Sequence, residues 1–286
     1  MSLFLTATIA GILGAGSSAL LATGFYLTLG VLDVVNFAYG AMIVVGSYSA
    51  LEVGRHLGVT PLLGVIVAVP VCYLLALTIS RLVLRHDTET IFQLLVTFGV
   101  AILLEGMLSL LFGPGTQAAQ NSLSSASIHL GSLYVSSALL VIFLIGVVVL
   151  GLVATTLRYT ALGRATQALS QSSLGASVCG IRTGRLRTQV FAIGSALGGL
   201  AGAVVAIRAP FSPFSGLELL ITAFIVVALG GLRSILGLCI AALVVGLLQS
   251  YSASYLSAYI YQPLLYVVLI VTLWIRPRGF VGGKAK

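Results

Sequence analysis

The sequence predicts an all-α, polytopic membrane protein of about nine transmembrane helices, with broken or re-entrant segments, an external N-terminus and a cytoplasmic C-terminus. The first observation is composition, since 59% of the 286 residues are hydrophobic and only 7% are charged, against about 25% charged residues in soluble domains. The second is that nine apolar stretches approach the roughly 20 residues with which a helix crosses the hydrocarbon core. The third is that the charges cluster between those stretches. A single transmembrane domain, residues 1–286, accounts for all three.

The nine predicted spans are bounded where apolar residues give way to polar ones. The first Lys or Arg is Arg55, so the N-terminal run lacks the basic segment of a secretory signal peptide and is interpreted as a membrane span. The spans are expected near residues 5–30, 38–54, 61–82, 91–112, 135–157, 188–207, 217–231, 235–252 and 260–275.

Positive charge predicts the orientation, because Lys and Arg of short loops remain on the cytoplasmic side. The chain has 14 Lys and Arg residues. An odd number of crossings with a cytoplasmic C-terminus leaves only Arg55 and Arg208 outside and places Arg233 and all the charged clusters inside. Those clusters are Arg81–Glu89, Arg158–Arg187 and Arg276–Lys286.

Two loops follow from this orientation. The loop at residues 113–134 is predicted to be external, and it is too short to form a solute-binding domain. The cytoplasmic loop at residues 158–187 is predicted to form a helix, which starts at Thr160 and has one partly apolar face. Such a helix can lie on the membrane or dock into another protein, and composition leaves both possibilities open.

Two segments interrupt the apolar pattern within the predicted spans. Residues 29–40 carry Asp33 and Asn36, and residues 229–237 carry Arg233; both run from a Leu-Gly pair through a charged residue to a new apolar helix, as a structural repeat would. Non-helical backbone survives at membrane depth only inside protein or beside a watery cavity. We therefore expect Asn36, with Phe37 and Tyr39, to border a solute pathway, whereas the Arg233 segment is equally compatible with a tight cytoplasmic turn.

Acidic residues within spans are rare, because burying one costs about 2–3 kcal/mol on insertion scales. Glu105 lies in the outer half of the span 91–112. Either a polar contact between helices or a position on the solute pathway accounts for it, and it is included among the candidate pathway residues. Glu218 lies near the end of a span, where its side chain can reach water, so no function is predicted for it.

Other motifs exclude several kinds of site. No GxxxxGK[ST] sequence occurs, so the chain has no Walker-type nucleotide site and any ATP must be bound by partner subunits. Isolated histidines and scattered cysteines predict no metal site, no catalytic residue and therefore no enzyme, and neither a cofactor nor a nucleic-acid partner is expected. Gly194, Gly198 and Gly202 recur every four residues, which predicts a helix face for close packing.

Several segments, in order along most of the chain, resemble conserved motifs of one family. The family comprises the inner-membrane permease subunits of branched-chain amino acid ABC importers, of the hydrophobic amino acid uptake type. The matching strings include Val-Val-Asn-Phe-Ala-Tyr-Gly at one break, Leu-Gly-Gly-Leu at the other and Arg-Pro-Arg-Gly-Phe near the C-terminus. The similar segments are residues 34–40, 163–181, 192–202, 229–235 and 276–280.

The resemblance implies a bacterial inner (plasma) membrane location, a second homologous permease subunit, two cytoplasmic ATPase subunits and an extracytoplasmic solute-binding protein. It also implies that residues 158–187 form the loop that couples ATP hydrolysis to the pore. The coupling residues carried over from the family's motif are Gly163, Arg164, Gln167, Gln171, Gly175, Ala176, Gly180 and Ile181.

Departures from the family pattern bear on the solute. Tyr39 stands where the family usually has His, Glu105 where it has a neutral residue, and Arg233 where it has Gly. The resemblance implies import of a small amino-acid-like solute, a branched-chain or other hydrophobic amino acid above all. The alternatives are an ion-coupled secondary transporter and a passive channel for a small solute such as urea.

Overall fold

The computed structural model describes residues 2–58, 60–83, 90–119, 127–130, 133–256, 260–276 and 279–281. Apart from one short hairpin, these residues form helices and the connections between them. The helices are α1 (Ser2–Phe25), α2 (Ala38–Leu57), α3 (Val65–Val83), α4 (Thr90–Phe112), α5 (Ser137–Tyr159), α6 (Ala161–Gln171), α7 (Ser173–Val178), α8 (Thr183–Arg208), α9 (Gly216–Gly230), α10 (Ile235–Tyr251) and α11 (Tyr261–Ile275).

Short segments of other helical types extend or precede the long helices. A π-helix, Tyr26–Val31, continues α1, and a second one, Ser252–Leu256, continues α10. Turns of 3₁₀-helix, Pro61–Gly64 and Pro213–Ser215, precede α3 and α9, each with proline in its first turn, where the missing amide hydrogen costs no hydrogen bond.

Within the described residues, seven helices are long and apolar enough to cross a membrane. Helices also lie at the other two predicted positions, but both are less favourable as independent spans. α2 has 20 residues and carries Glu52 and Arg55 in its last turns, and α11 has only 15 residues. Every predicted span thus coincides with a helix, while seven of those helices qualify as spans by length and composition.

The core is built around α8, which packs against α1, α2 and α3. Its glycines face neighbouring backbone, as the four-residue spacing predicted: Gly194 meets the Gly24 carbonyl, and a Cβ at Gly202 would collide with the Ile43 carbonyl. A Cβ at Gly198 would lie 2.9 Å from Cε2 of Tyr39. Small residues therefore allow these helices to approach one another closely.

Both predicted breaks contain non-helical residues, and the two breaks meet in space. After the π-helix, Asp33 adopts a left-handed φ of 59° and the Val34 amide donates to the Thr28 carbonyl at 3.1 Å. At the second break Ser234 caps α10 by accepting from the Gly237 amide at 3.0 Å. Gly30 lies directly against the Leu232 carbonyl, which leaves no room for a side chain there.

The C-terminal motif and α6 lie at the same end of the bundle as the breaks. The Phe280 amide donates to the Leu229 carbonyl at 2.8 Å, which ties the C-terminal segment to the end of α9. α6 packs against the π-helix Tyr26–Val31. It begins where the sequence predicted, because the Thr160 hydroxyl accepts from the Gly163 amide at 3.0 Å.

The predicted external loop, residues 113–134, contains an antiparallel hairpin of β1 (Ser127–Leu130) and β2 (Leu133–Ser136). Gln117 and Phe211 exchange backbone hydrogen bonds of 2.8 and 2.9 Å, so this loop is tied to the connection between α8 and α9. Residues 120–126 and 131–132 of the loop lie outside the described part of the chain, as do residues 84–89, 277–278 and 282–286 of the basic clusters.

Candidate solute pathway and coupling surface

Asn36 is fully buried at the first break, between α1 and α8. Its Nδ2 donates to Ser195 Oγ over 3.5 Å, a long hydrogen bond, and its Oδ1 has no hydrogen-bond partner among the described residues. Leaving a buried polar atom unpaired costs about 1–3 kcal/mol. Asn36 therefore carries a cost to stability, which is typical of a functional position.

Phe37 and Tyr39 follow Asn36 in the chain but lie in different surroundings. The Phe37 ring is half-buried and packs edge-on against Phe98 with centroids 5.9 Å apart. Tyr39 is fully buried, and its hydroxyl donates to the Leu21 carbonyl at 2.7 Å. Asn36 and Tyr39 both contact α8. Asn36 does so at Ser195, and the ring of Tyr39 packs against Gly198.

Glu105 lies on α4, half-buried, and makes no hydrogen bond or ion pair with the described residues. A Cβ placed on Gly216 would lie 2.8 Å from its Oε1, so the carboxylate approaches the first residue of α9. The amino end of a helix carries partial positive charge, which stabilises a nearby anion. A Cβ on Gly216 would also lie 3.2 Å from the Gly40 carbonyl carbon and the Ala41 amide nitrogen, so Glu105 lies beside the start of α2, which follows the Asn36 break.

The predicted coupling residues divide into an exposed set and a buried set. Gly163 is buried against the backbone of Thr156 and Leu157, and it joins α6 closely to α5. Gln167 Nε2 donates to the Leu157 carbonyl at 2.9 Å, and Arg164 donates to the Tyr159 carbonyl at 3.1 Å. The side chains predicted to form the coupling surface therefore also hold α6 against the end of α5.

α7 presents a different surface from the one that the sequence indicated. Ala176 is only 3% exposed, whereas its neighbours Leu174 and Val178 are 78% and 81% exposed. Ile181 donates its amide to the Ala176 carbonyl at 3.1 Å, and Gly180 adopts a positive φ of 81°, which ends α7. The exposed members of the predicted set are Arg164, Gln167, Gln171, Gly175 and Gly180.

A cavity of about 180 Å³, lined by both apolar and polar residues, borders the connection between α8 and α9. Helices α1, α8, α9, α10 and α11 surround it, and Arg208, Glu218, Gln249 and Tyr261 line it. None of the four predicted pathway residues lines this cavity. From the sequence, Arg208 was expected on the external side and Glu218 was given no role. The signal for their common site is the meeting of five helices, which spacing along one helix does not reveal.

The model of one protein family, described as "Branched-chain amino acid transport system / permease component", matches residues 7–273. The chain belongs to this family. It is therefore the permease component of a branched-chain amino acid ABC transport system, a multi-pass inner-membrane protein and not an enzyme.

Individual relatives agree with the family assignment. The high-affinity branched-chain amino acid transport system permease protein LivH of Escherichia coli K12 is 26% identical, over 98% of this chain and 96% of its own. The probable branched-chain amino acid transport permease protein LivH of Methanocaldococcus jannaschii is 30% identical, over 92% and 88%. The corresponding BraD protein of Pseudomonas aeruginosa is 23% identical, over 98% and 96%.

A solved structure shares the fold. PsaBC from Streptococcus pneumoniae in complex with Fab superposes with a TM-score of 0.52 at 13% identity, covering 97% of this chain and 93% of that one. At this identity the likeness concerns the fold alone.

Proposed function

We propose that this chain forms half of a pore that imports a branched-chain or other hydrophobic amino acid, using ATP hydrolysed by two cytoplasmic partner subunits. A second homologous permease subunit completes the pore, and an external binding protein delivers the solute. The chain crosses the membrane nine times, with its N-terminus outside and its C-terminus inside. The observation that carries the proposal is the exposed apolar surface of α7, at the end of the bundle that also holds both breaks.

Coupling requires a physical contact that moves with the ATPase subunits, because their closure performs work only through groups that they touch. Leu174 and Val178 offer such a contact, since both are exposed beyond three quarters. Aliphatic side chains of this kind fill pockets in a partner surface and supply much of the binding energy of an interface. Arg164 and Gln171 lie on the adjoining helix α6, where they can supply polar groups for the rim of the interface with the ATPase subunit.

A chain of contacts leads from this surface to the breaks. α6 packs against the π-helix Tyr26–Val31, and Gly30 of that π-helix lies on the Leu232 carbonyl of the second break. The π-helix leads directly to Asn36, whose buried Oδ1 has no hydrogen-bond partner among the described residues and would accept one from a solute or water when the pathway opens. A displacement of α6 and α7 by the ATPase subunits therefore acts first on the segment that we assign to the solute pathway.

The test is a Leu174→Arg variant in the complete transporter, with Leu57→Arg as the matched control. Leu57 is also well exposed, at 69%, but it is the last residue of α2 and lies at the end of that helix away from the first break. An unpaired charge in an apolar contact should weaken ATPase association by about tenfold or more. ATP-driven uptake should fall equally, while the amount of protein inserted in the membrane stays the same and the control behaves as the parent.

The outcomes separate the alternatives. If α7 instead lies on the lipid surface, the added arginine strengthens contact with anionic headgroups and leaves ATPase association unchanged. Ala176→Arg should also reduce uptake, but by disrupting the packing of α7 itself. Amino acid uptake that persists without any ATPase subunit, driven by an ion gradient or running only downhill, would overturn the ABC importer mechanism in favour of a secondary transporter or a channel.

A further inference from the structure

The cavity lined by Arg208 and Glu218 combines a cation, an anion and an apolar wall. Its volume of about 180 Å³ is roughly ten times the 15 Å³ that one water needs. Leu21, Val204 and Leu219 are among the apolar residues of its lining. Ligand sites for small molecules have this composition, with mostly apolar walls and a few polar groups that set the orientation.

Arg208, the last residue of α8, directs its guanidinium into the cavity. The guanidinium donates to Ser17 Oγ and, at 2.6 Å, to Gln249 Oε1. Both partners are neutral, and no carboxylate of the described residues lies within the 4.0 Å of an ion pair. A guanidinium has five donors in a planar fork suited to a carboxylate, so donors remain for an anion that the chain itself does not supply.

Glu218 supplies the opposite charge from the first turn of α9. Its Oε1 accepts a hydrogen bond from Gln262 Nε2, and its carboxylate lines the same cavity as Arg208. Tyr261 lines the cavity together with both groups. The cavity thus presents a cationic and an anionic side chain that line the same space but are not paired with each other.

We propose that this cavity is an amino acid binding site, in which Arg208 binds the α-carboxylate and Glu218 binds the α-ammonium group. The apolar wall then receives an aliphatic side chain. This inference rests on the proposed function for its class of solute, and it adds a solute-binding site within the permease itself. The zwitterion supplies the ion pairs that Arg208 and Glu218 do not make with each other.

The position of the site suits entry from outside. The connection from α8 to α9 borders the cavity, and the predicted topology places that connection on the external side, where a binding protein delivers its solute. Leu21 lines the cavity, and its backbone carbonyl accepts a hydrogen bond from the Tyr39 hydroxyl. The site therefore lies one hydrogen bond from the segment that contains Asn36.

The experiment measures protection of a reporter cysteine in the assembled transporter. Thr222, which lines the cavity, is replaced by cysteine after Cys72, Cys179 and Cys239 have been removed. The rate of modification by a small thiol reagent is measured with L-leucine and, as a matched probe without a carboxylate, with L-leucinamide. We expect L-leucine to slow the modification about tenfold and L-leucinamide to have little effect, because a bidentate pair with arginine is worth more than 1.4 kcal/mol.

Variants assign the protection to the proposed groups. Arg208→Gln should abolish protection by L-leucine, Arg208→Lys should restore part of it, and Glu218→Gln should weaken it. The thermal unfolding temperature and basal ATP hydrolysis of each complex show that it is assembled. Protection that is absent in the parent, or equal in the parent and Arg208→Gln, would refute the site.

A separate uptake assay keeps the two proposals distinguishable. Binding-protein-dependent uptake of leucine, isoleucine and valine by the parent complex tests the proposed function. Uptake without protection refutes the cavity site alone, and protection without uptake refutes the importer while leaving the site in place.

Discussion

Helices α5 and α8 are both long enough to cross a membrane, but they occupy opposite environments. In the most apolar 18-residue stretch of each, 22% of α5 is buried within the chain against 78% of α8. α5 is nevertheless the more apolar, rich in Leu, Val and Ile. α8 contains ten Gly and Ala residues among its 26, whereas α5 contains four among 23. In a membrane protein, hydrophobicity indicates contact with lipid, and small side chains indicate burial in the core.

The physical reason is that lipid tails are as apolar as leucine, so burying leucine against another helix gains little. Close approach of two backbones gains dispersion and removes voids, and it requires residues without long side chains. Gly199 of α8 lies where a Cβ would come 2.7 Å from Cys72 Sγ of α3. The rule derived for soluble proteins, that large apolar residues mark the core, is reversed here.

The largest expected effect comes from enlarging a glycine of α8. Gly202→Leu should prevent assembly of the bundle, because its Cβ would collide with the Ile43 carbonyl and overpacking costs about 1–3 kcal/mol or more. Gly151→Leu in α5 is the matched control, since a Cβ there meets nothing within 4 Å. The yield of monodisperse protein after mild detergent extraction measures the difference. Equal yields for the two variants would contradict the assignment of α8 to the core.

An intermediate effect is expected from a charge on α5. Val148 is 58% exposed, and Val148→Arg should reduce membrane insertion, because a charge at the centre of a span costs about 2.5–3.5 kcal/mol on insertion scales. Val148→Leu provides the control of similar shape. Glycosylation-site mapping of the inserted fraction reports the result. Normal insertion of the arginine variant would indicate that this face of α5 borders water rather than lipid.

The smallest effect on stability is expected from replacing Asn36, the buried polar residue that contacts α8 at Ser195. Asn36→Leu removes a buried amide whose Oδ1 is unpaired, so the unfolding temperature should be unchanged or slightly raised. Uptake should nonetheless fall about fivefold if the amide contacts the solute, since one hydrogen bond to it is worth about 1 kcal/mol. Ser195→Ala, which keeps the amide and removes its 3.5 Å partner, is the control. Unchanged uptake by Asn36→Leu would leave the residue with a packing role only.

Sequence reasoning located the helices and the close-packed face of α8, because both depend on local patterns. Gly194, Gly198 and Gly202 share a face in any α-helix, whatever surrounds them. The two breaks were visible for the same reason, as polar residues between glycines. That Gly30 lies against the Leu232 carbonyl was not visible, since 202 residues of chain separate the two and only the fold brings them together.

Exposure and burial within short segments were the least predictable features. Ala176 was assigned to the coupling surface from its motif, yet only the packing of α7 shows that Ala176 faces inward and Leu174 faces outward. Arg208 and Glu218 lie only ten positions apart, but their common cavity also needs Ser17 from α1 and Gln249 from α10. A site built from several helices leaves no periodic trace in any one of them.

The dependence of α2 on α8 has a consequence for biosynthesis. α2 is too polar to qualify as a membrane span by itself, and its partner α8 follows more than a hundred residues later in the chain. At about 5–20 residues per second, the ribosome needs roughly 8–30 s to reach the end of α8 after completing α2. During that interval the face of α2 that packs against α8 lacks its partner. The nascent chain is therefore most exposed to quality-control proteases before α8 emerges, and truncations that stop short of α8 should be degraded rather than accumulate.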